Sequence, residues 1–238
     1  MPVSYLPSES LGDYEYQFSE PDYKVSEETV EEMRKMIMRW GYTIQDKKKE
    51  DYKVDIVAFK NDIPIRIEIE ERIKGGNFGS REEFYPNVHF LARKKKYIRE
   101  GHFIYFNISH KILSPHGGSP SRCIIMRYSK DIFIEGLQKV ISCDSNSHKG
   151  VDSVYVYPNA DCCFFNERTD LSVPLNSRFI FKNKIYKVDG LGIYKQKLNN
   201  QSVQMCYEIH EEGNPKIKGV RNIEYIKEMF DGNEIKII

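Results

Sequence analysis

The sequence predicts an α/β fold: a mixed central sheet flanked by helices, followed by a small β-rich C-terminal module. Three observations predict it. Residues 26–40 repeat apolar side chains at helical spacing, and residues 54–70 alternate at the period of a strand across a tight turn. After residue 165 the chain breaks into short alternating runs joined by polar turns. The expected organisation is an arm over 1–25, an α/β core over 26–165 and the β-rich module over 166–238.

The arm is rich in Tyr, Ser, Pro and acids and has no clear period; it reads as an extended segment that packs by its tyrosines or as a partly disordered one. Ser26 is placed to cap the helix that follows. Acids crowd the first turn of that helix, and Arg34, Lys35 and Arg39 lie toward its end, as the helix dipole favours. Val30, Met33, Ile37 and Trp40 form its apolar stripe and Gly41 stops it.

A hairpin follows over 52–70. Val54, Ile56 and Ala58 alternate with Asp55, Val57 and Phe59, the turn is Lys60-Asn61-Asp62, and Ile65, Ile67 and Ile69 alternate with Arg66, Glu68 and Glu70. Residues 75–87 read as a glycine-containing loop and residues 88–100 as a second helix. Residues 102–109 and 123–129 read as strands, 130–141 as a third helix and 152–158 as a strand. In the tail, Lys-Asn and Asp-Gly pairs mark turns between short strands, and residues 222–230 form a terminal helix.

Composition narrows the function classes. With 238 residues, 40% hydrophobic and 30% charged, the chain can bury a sizeable core. No apolar run is long enough to span a bilayer, and the first residues lack the basic and apolar regions of a secretory signal. The five cysteines, Cys123, Cys143, Cys162, Cys163 and Cys206, have no CxxC spacing. They argue for a reducing, cytoplasmic compartment and against a zinc ribbon, with Cys162 and Cys163 read as core packing. His110 and His116 read as loop residues. A net charge of +1 gives no global basic field, although Lys47 to Lys49 and Arg93 to Lys96 form local basic clusters. No P-loop or dinucleotide-binding glycine pattern is present.

The chemistry is concentrated in the hairpin. Glu68 and Glu70 share one face of a strand, opposite the isoleucines, and Asp55 lies across the hairpin. Carboxylates so placed suit a hard cation such as Mg²⁺. The same alternation also describes an ordinary strand with one wet face, and the spacing alone leaves both readings open.

The order helix, Asp-bearing strand, Glu-x-charged strand, helix, strand resembles the core of the PD-(D/E)XK nuclease superfamily. The matching residues are Asp55 and, after twelve intervening residues, Glu68-Ile69-Glu70, and the likeness covers about residues 26 to 130. Val54 stands where the family often has Pro, and Glu70 stands where it has Lys.

The resemblance implies a restriction-endonuclease-like core and Mg²⁺-dependent hydrolysis of DNA, with Mn²⁺ able to substitute, of restriction or phage type. Metal ligands would be Asp55, Glu68, Glu70 and, from the first helix, Glu27. Lys95 falls within the apolar stripe of a helix built at about 100° per residue over 88–100 and is the candidate for the missing lysine. A lysine whose stem covers the core while its head stays wet explains the same pattern. Arg81, Arg93, Lys94 and Arg99 are candidate nucleic-acid contacts. Phe78, Phe84 and Tyr85 lie in the same loop as Arg81. A homodimer fits the two-fold logic of double-strand cutters, but no residue marks a dimer face. The Glu at position 70 also suits a catalytically inactive chain that keeps the fold as a nucleic-acid-binding or phage structural scaffold.

Overall fold

A computed structural model describes residues 27–45, 54–72, 78–92, 94–95, 103–110, 122–145, 148–195 and 203–238. The fold is mixed α/β, mostly sheet with few helices. Helix α1, Glu27–Arg39, buries Met33, Met36 and Ile37, and Trp40 follows it into the core. Gly41 then turns the chain at φ 90°. The expected cap Ser26 and the arm over 1–25 lie outside the described residues.

Strands β1 (Thr43–Ile44), β2 (Ile56–Lys60) and β3 (Ile63–Arg72) come next. The β2–β3 connection is a two-residue turn in which Asn61 and Asp62 have φ 50° and 62°. Positive φ at both central residues matches the right-handed twist of the flanking strands, and Asn and Asp tolerate it better than other side chains. Among the described residues of 88–100 the expected helix is absent, and 93 and 96–100 lie outside the described residues. Asn87–Leu91 is strand β4, and residues 92, 94 and 95 form a short 3-10 turn. Val88 and Phe90, two residues apart, are both fully buried, so packing on one face sets a period of two.

Strand β5 (Phe103–Ser109) is buried on both faces and runs parallel to β3, while β6 (Ile124–Tyr128) lies antiparallel beside it. The expected third helix over 130–141 is also replaced. Helix α2 is only Ser129–Ile132, and strand β7, Gln138–Ser145, follows a turn at Gly136, φ 80°. Ile132 and Phe133 drop into the core at the end of α2, which stops the helix after one turn. Strand β8 is His148–Pro158, β9 is Cys163–Phe165 and α3 is Glu167–Asp170.

The tail contains β10 (Arg178–Phe181), β11 (Lys184–Lys195), β12 (Val203–Glu211), β13 (Asn214–Asn222), α4 (Ile223–Asp231) and β14 (Ile235–Ile237). The expected Lys-Asn turn is present, with Lys182 and Asn183 at φ 49° and 61°. The Asp189-Gly190 pair is not a turn. It lies inside β11, at a register shift between Val188 and Gly190.

Three sheets result. One has six strands in the order β1-β2-β3-β5-β6-β9, one has five in the order β13-β12-β11-β10-β14, and one has three in the order β4-β8-β7. The six-stranded sheet is covered on both sides. Ile56, Ala58, Ile67, Ile69, Ile104, Phe106 and Met126 face one apolar cluster with α1 and much of the tail, including Val188, Leu191 and Ile226. Phe103, Tyr105 and Ile125 face a second cluster with Phe78, Phe84, Val88, Phe90 and Tyr155. The β-rich tail thus shares a core with α1 and the central sheet.

Candidate functional site

The pairing Ile56↔Ile67 places Asp55 across the hairpin from Glu68, one residue beyond the last paired rung. Asp55 Oδ2 accepts the Ile69 N–H over 2.7 Å, so the side chain continues the ladder where the backbone leaves it. On β3, alternate residues point to opposite faces, and Ile67 and Ile69 fill the α1-side cluster. Glu68 and Glu70 therefore face the three-stranded sheet. The expectation that they share a face holds, but the face is not wet: Glu68 is 2% exposed.

Parallel pairing sets Tyr105 beside Glu68 and Asn107 beside Glu70, both fully buried. The Tyr105 hydroxyl donates to Glu70 Oε2. The Tyr105 ring is held by Phe90 of β4 in an edge-to-face contact at 5.2 Å. Beyond β4, Lys94 donates from Nζ to Glu68 Oε1. Burial first, and then the Asp55 carboxylate, push Glu68 up to about 7; Lys94 pulls the other way and Glu70 adds to the rise. Two acids, Asp55 and Glu70, thus act electrostatically on one buried carboxylate, with one ammonium partly offsetting them.

No family model, curated protein or solved structure matches this chain.

The donors are hard oxygens and their charge exceeds that of Lys94, which is the chemistry a divalent cation suits. As the side chains stand, no three His, Cys, Asp or Glu side chains among the described residues lie at metal-holding spacing. The charge balance of the cluster fits a hard cation, therefore, while a closed chelate requires the acids to turn inward.

Other expected site residues fall differently. Lys95 is exposed, and its neighbour Lys94 holds Glu68, because the chain leaves β4 through a 3-10 turn and not along a helix. Glu27 is exposed on the first turn of α1. Arg81 Nη1 donates to the main-chain oxygens of Asn159 and, at 3.0 Å, of Cys162, so it braces the 78–86 loop against the chain after β8. Phe78 and Phe84 are buried against each other, whereas Tyr85 is exposed. Arg93 and Arg99 lie outside the described residues, as do Lys47 to Lys49 and His116. Cys162 and Cys163 are buried core residues whose thiols burial pushes up to about 12.

Two features escaped sequence reasoning. Tyr105 is one; its signal was a pair of polar groups, Tyr105 and Asn107, on one face of an otherwise apolar strand. The other is buried Arg122, which binds Glu32 of α1 at 2.7 Å and Glu71 of β3 at 3.0 Å. It also donates to the Ser109 and His110 main-chain oxygens at 2.8 and 3.0 Å, and His110 meets Glu71 at 2.8 Å. Glu71 has the opposite parity to Glu68 and Glu70, so this network ties α1 to the other side of the same strand end.

A cleft of about 710 Å³ lies at the other end of the hairpin, lined among others by Lys60, Asn61, Asp189, Glu208, His210 and Lys218. Its floor is a structural staple. Lys60 Nζ donates to the Trp40 and Leu191 carbonyls at 2.7 and 2.5 Å and pairs with Glu208 at 2.8 Å. Burial lowers the Lys60 pKa, against the pull of Glu208. With every donor committed to the fold, the lysine holds the end of α1 to β11.

Proposed function

We propose that this chain is a metal-dependent nuclease that hydrolyses DNA phosphodiester bonds, with a PD-(D/E)XK-like, restriction-endonuclease-like core in its Glu-x-Glu variant. The observation that carries the reading is the buried Glu68, set between Asp55 and Glu70 and bonded to Lys94. The antiparallel β2–β3 hairpin and the parallel partner β5 support it, since they bring these residues to one end of the sheet.

In this reading Asp55 and Glu68 would hold Mg²⁺, or Mn²⁺ in its place, with Glu70 beside them. The ion, when bound, supplies Lewis-acid polarisation of the scissile phosphate and acidifies bound water. The protein's own groups do the rest. Tyr105 fixes one oxygen of Glu70, which leaves that carboxylate oriented to take a proton from the attacking water. Lys94 supplies the positive charge that stabilises the developing phosphate oxygens. In this reading it serves in place of the lysine that Glu70 displaces from the motif. The choice of DNA over RNA rests on the resemblance. A cytoplasmic, membrane-free setting is proposed with it; no helix among the described residues is long and apolar enough to cross a membrane.

Incubation with supercoiled plasmid tests the reading. Nicked or linear product is expected with Mg²⁺ or Mn²⁺ and none with EDTA. Equal inactivity of the wild-type chain and an Asp55→Asn variant, with the wild type folded, would refute it.

A further inference from the structure

We propose that the outer face of the five-stranded tail sheet binds the sugar-phosphate backbone of nucleic acid along a row of basic side chains, Arg178, Lys187, His210 and Lys218. The row is independent of the acid cluster and needs no metal. It follows from strand register. Arg178 of β10 pairs with Lys187 of β11, Lys187 with His210 of β12, and His210 with Lys218 of β13. Their chain neighbours Phe179, Val188 and Ile209 lie in the apolar cluster shared with α1, so Arg178, Lys187 and His210 leave the sheet on the opposite face, and Lys218 shares the face of its partner His210. Arg178 and Lys218 are exposed, and Lys187 and His210 half-buried.

Such a row works against the fold, because like charges directly opposite on neighbouring strands repel. Protection of a sheet edge explains Lys218 on edge strand β13, but β10, β11 and β12 are interior. The acids on this face of the sheet are already engaged. Glu212 pairs with Arg178, Asp189 bonds His210 Nδ1 through both oxygens, and Glu208 is taken by Lys60 and Tyr194. Lys187 and Lys218 have no ion-pair partner among the described residues. Strands about 4.8 Å apart make the row about 14 Å long. One strand of a duplex carries a phosphate for each ~3.4 Å of axis, so about four phosphates pass along that length. A chain of closely spaced negative charges therefore complements the whole row, where a single phosphate would reach only part of it.

Fluorescence anisotropy of a short labelled DNA duplex, in EDTA, reads binding by the whole chain without cleavage. The logarithm of the affinity should fall linearly with the logarithm of salt concentration. Lys187→Ala with Lys218→Ala should weaken binding by about tenfold or more at low salt and flatten the salt slope by about 2, one for each lost phosphate contact. Removing opposed cations should not destabilise the sheet, and thermal melting checks that this variant is folded. Lys35→Ala with Lys227→Ala removes the same charge from exposed positions on α1 and α4 and should leave affinity and slope near wild type. Equal losses in the two double variants would reduce the effect to net charge and overturn the proposal, as would a wild type that does not bind. Row-dependent binding to phosphatidylserine vesicles, with duplex binding unaffected, would assign the face to a membrane surface and overturn it too. Plasmid cleavage is scored separately. Row-dependent DNA binding by a chain that cuts nothing leaves this inference standing and the nuclease reading fallen; cleavage with row-independent binding does the opposite.

Discussion

Ile69 donates its main-chain N–H to Asp55 Oδ2 over 2.7 Å. The bond lies one step past the last backbone rung of the β2–β3 hairpin, so a side chain completes a ladder that the backbone has left. Asp55 consequently has two tasks. One carboxylate oxygen is committed to the strand, and the charge of the group still acts on Glu68 across the hairpin.

The two tasks separate in Asp55→Asn. The amide oxygen still accepts from Ile69, so the melting temperature should stay within a few degrees of wild type, as for a preserved hydrogen bond. The charge is gone, so Mg²⁺-dependent plasmid cleavage should fall by about 100-fold or more, the scale of losing one metal ligand or its equivalent in electrostatic stabilisation. Asp55→Ala should show the same loss of cleavage with about 1–2 kcal/mol of added instability from the orphaned N–H. Retained cleavage in Asp55→Asn would show that the charge is not used.

Glu68 sets a pH dependence. Burial and the neighbouring Asp55 hold its folded-state pKa up at about 7, above the ordinary carboxylate range that it has in the unfolded chain. Between those two values the folded state binds more protons than the unfolded one. The contribution to stability is complete below the unfolded value and is lost as pH rises through about 7. Glu68→Gln removes this slope. The variant should match wild type near pH 5 within about 1 kcal/mol and exceed it at pH 8 by about 1–2 kcal/mol, the unpaired Lys94 limiting the gain. Thermal unfolding of both proteins at the two pH values decides; parallel curves would exclude Glu68 as the titrating group.

The hairpin was legible in the sequence because three independent signals agree there: alternation at period two, an Asn-Asp pair able to take positive φ, and isoleucines fixing which face is buried. Helix α1 was legible for the same reason at helical period. The segment after the loop was not. Its Arg and Lys residues have good helix propensity and outvoted the short alternation at Val88 and Phe90, yet Phe90 packs on Tyr105 and Tyr157, far away in sequence, and Val88 lies in the same cluster. That wrong period turned Lys95 toward the acids, whereas in the structure Lys95 is exposed and Lys94 contacts Glu68. The acids at 55, 68 and 70 were readable from strand parity alone. Tyr105 was not, because only the parallel pairing of β3 with β5 brings it to Glu70.

Arg122 should be a costly polar residue to remove. It is buried and binds two acids and two carbonyls from different segments. Arg122→Met leaves Glu32 and Glu71 without their shared cation, at side-chain exposures of 15% and 11%. Since some water still reaches those acids, a loss of about 2–4 kcal/mol is expected, at the lower side of a broken buried pair. Arg122→Lys keeps the charge but not the fork, and should recover about half of it. Urea unfolding measures both. A loss below about 1 kcal/mol in the Met variant would show that the network contributes little to stability.

Gly190 marks a close approach between the tail and the end of α1. A Cβ there would lie 2.3 Å from the Trp40 carbonyl oxygen and 3.0 Å from its carbon, which are main-chain atoms with no rotamer to escape by. The same carbonyl accepts from Leu191 N at 3.0 Å and from Lys60 Nζ at 2.7 Å, so moving it disturbs the end of α1, strand β11 and the lysine staple together. Gly190→Ala should therefore cost about 3 kcal/mol, the upper range of overpacking, and lower the melting temperature by about 6–12 °C. Gly219 provides the control on the neighbouring part of the same sheet. A Cβ there meets Arg221 Nη1 at 3.6 Å and Ile209 Cγ1 at 3.7 Å, ordinary contact distances. Gly219→Ala should change stability by less than about 1 kcal/mol. Equal effects of the two substitutions would mean that β11 is not pressed against the end of α1, and that the tail and the central sheet are joined less tightly than the shared core implies.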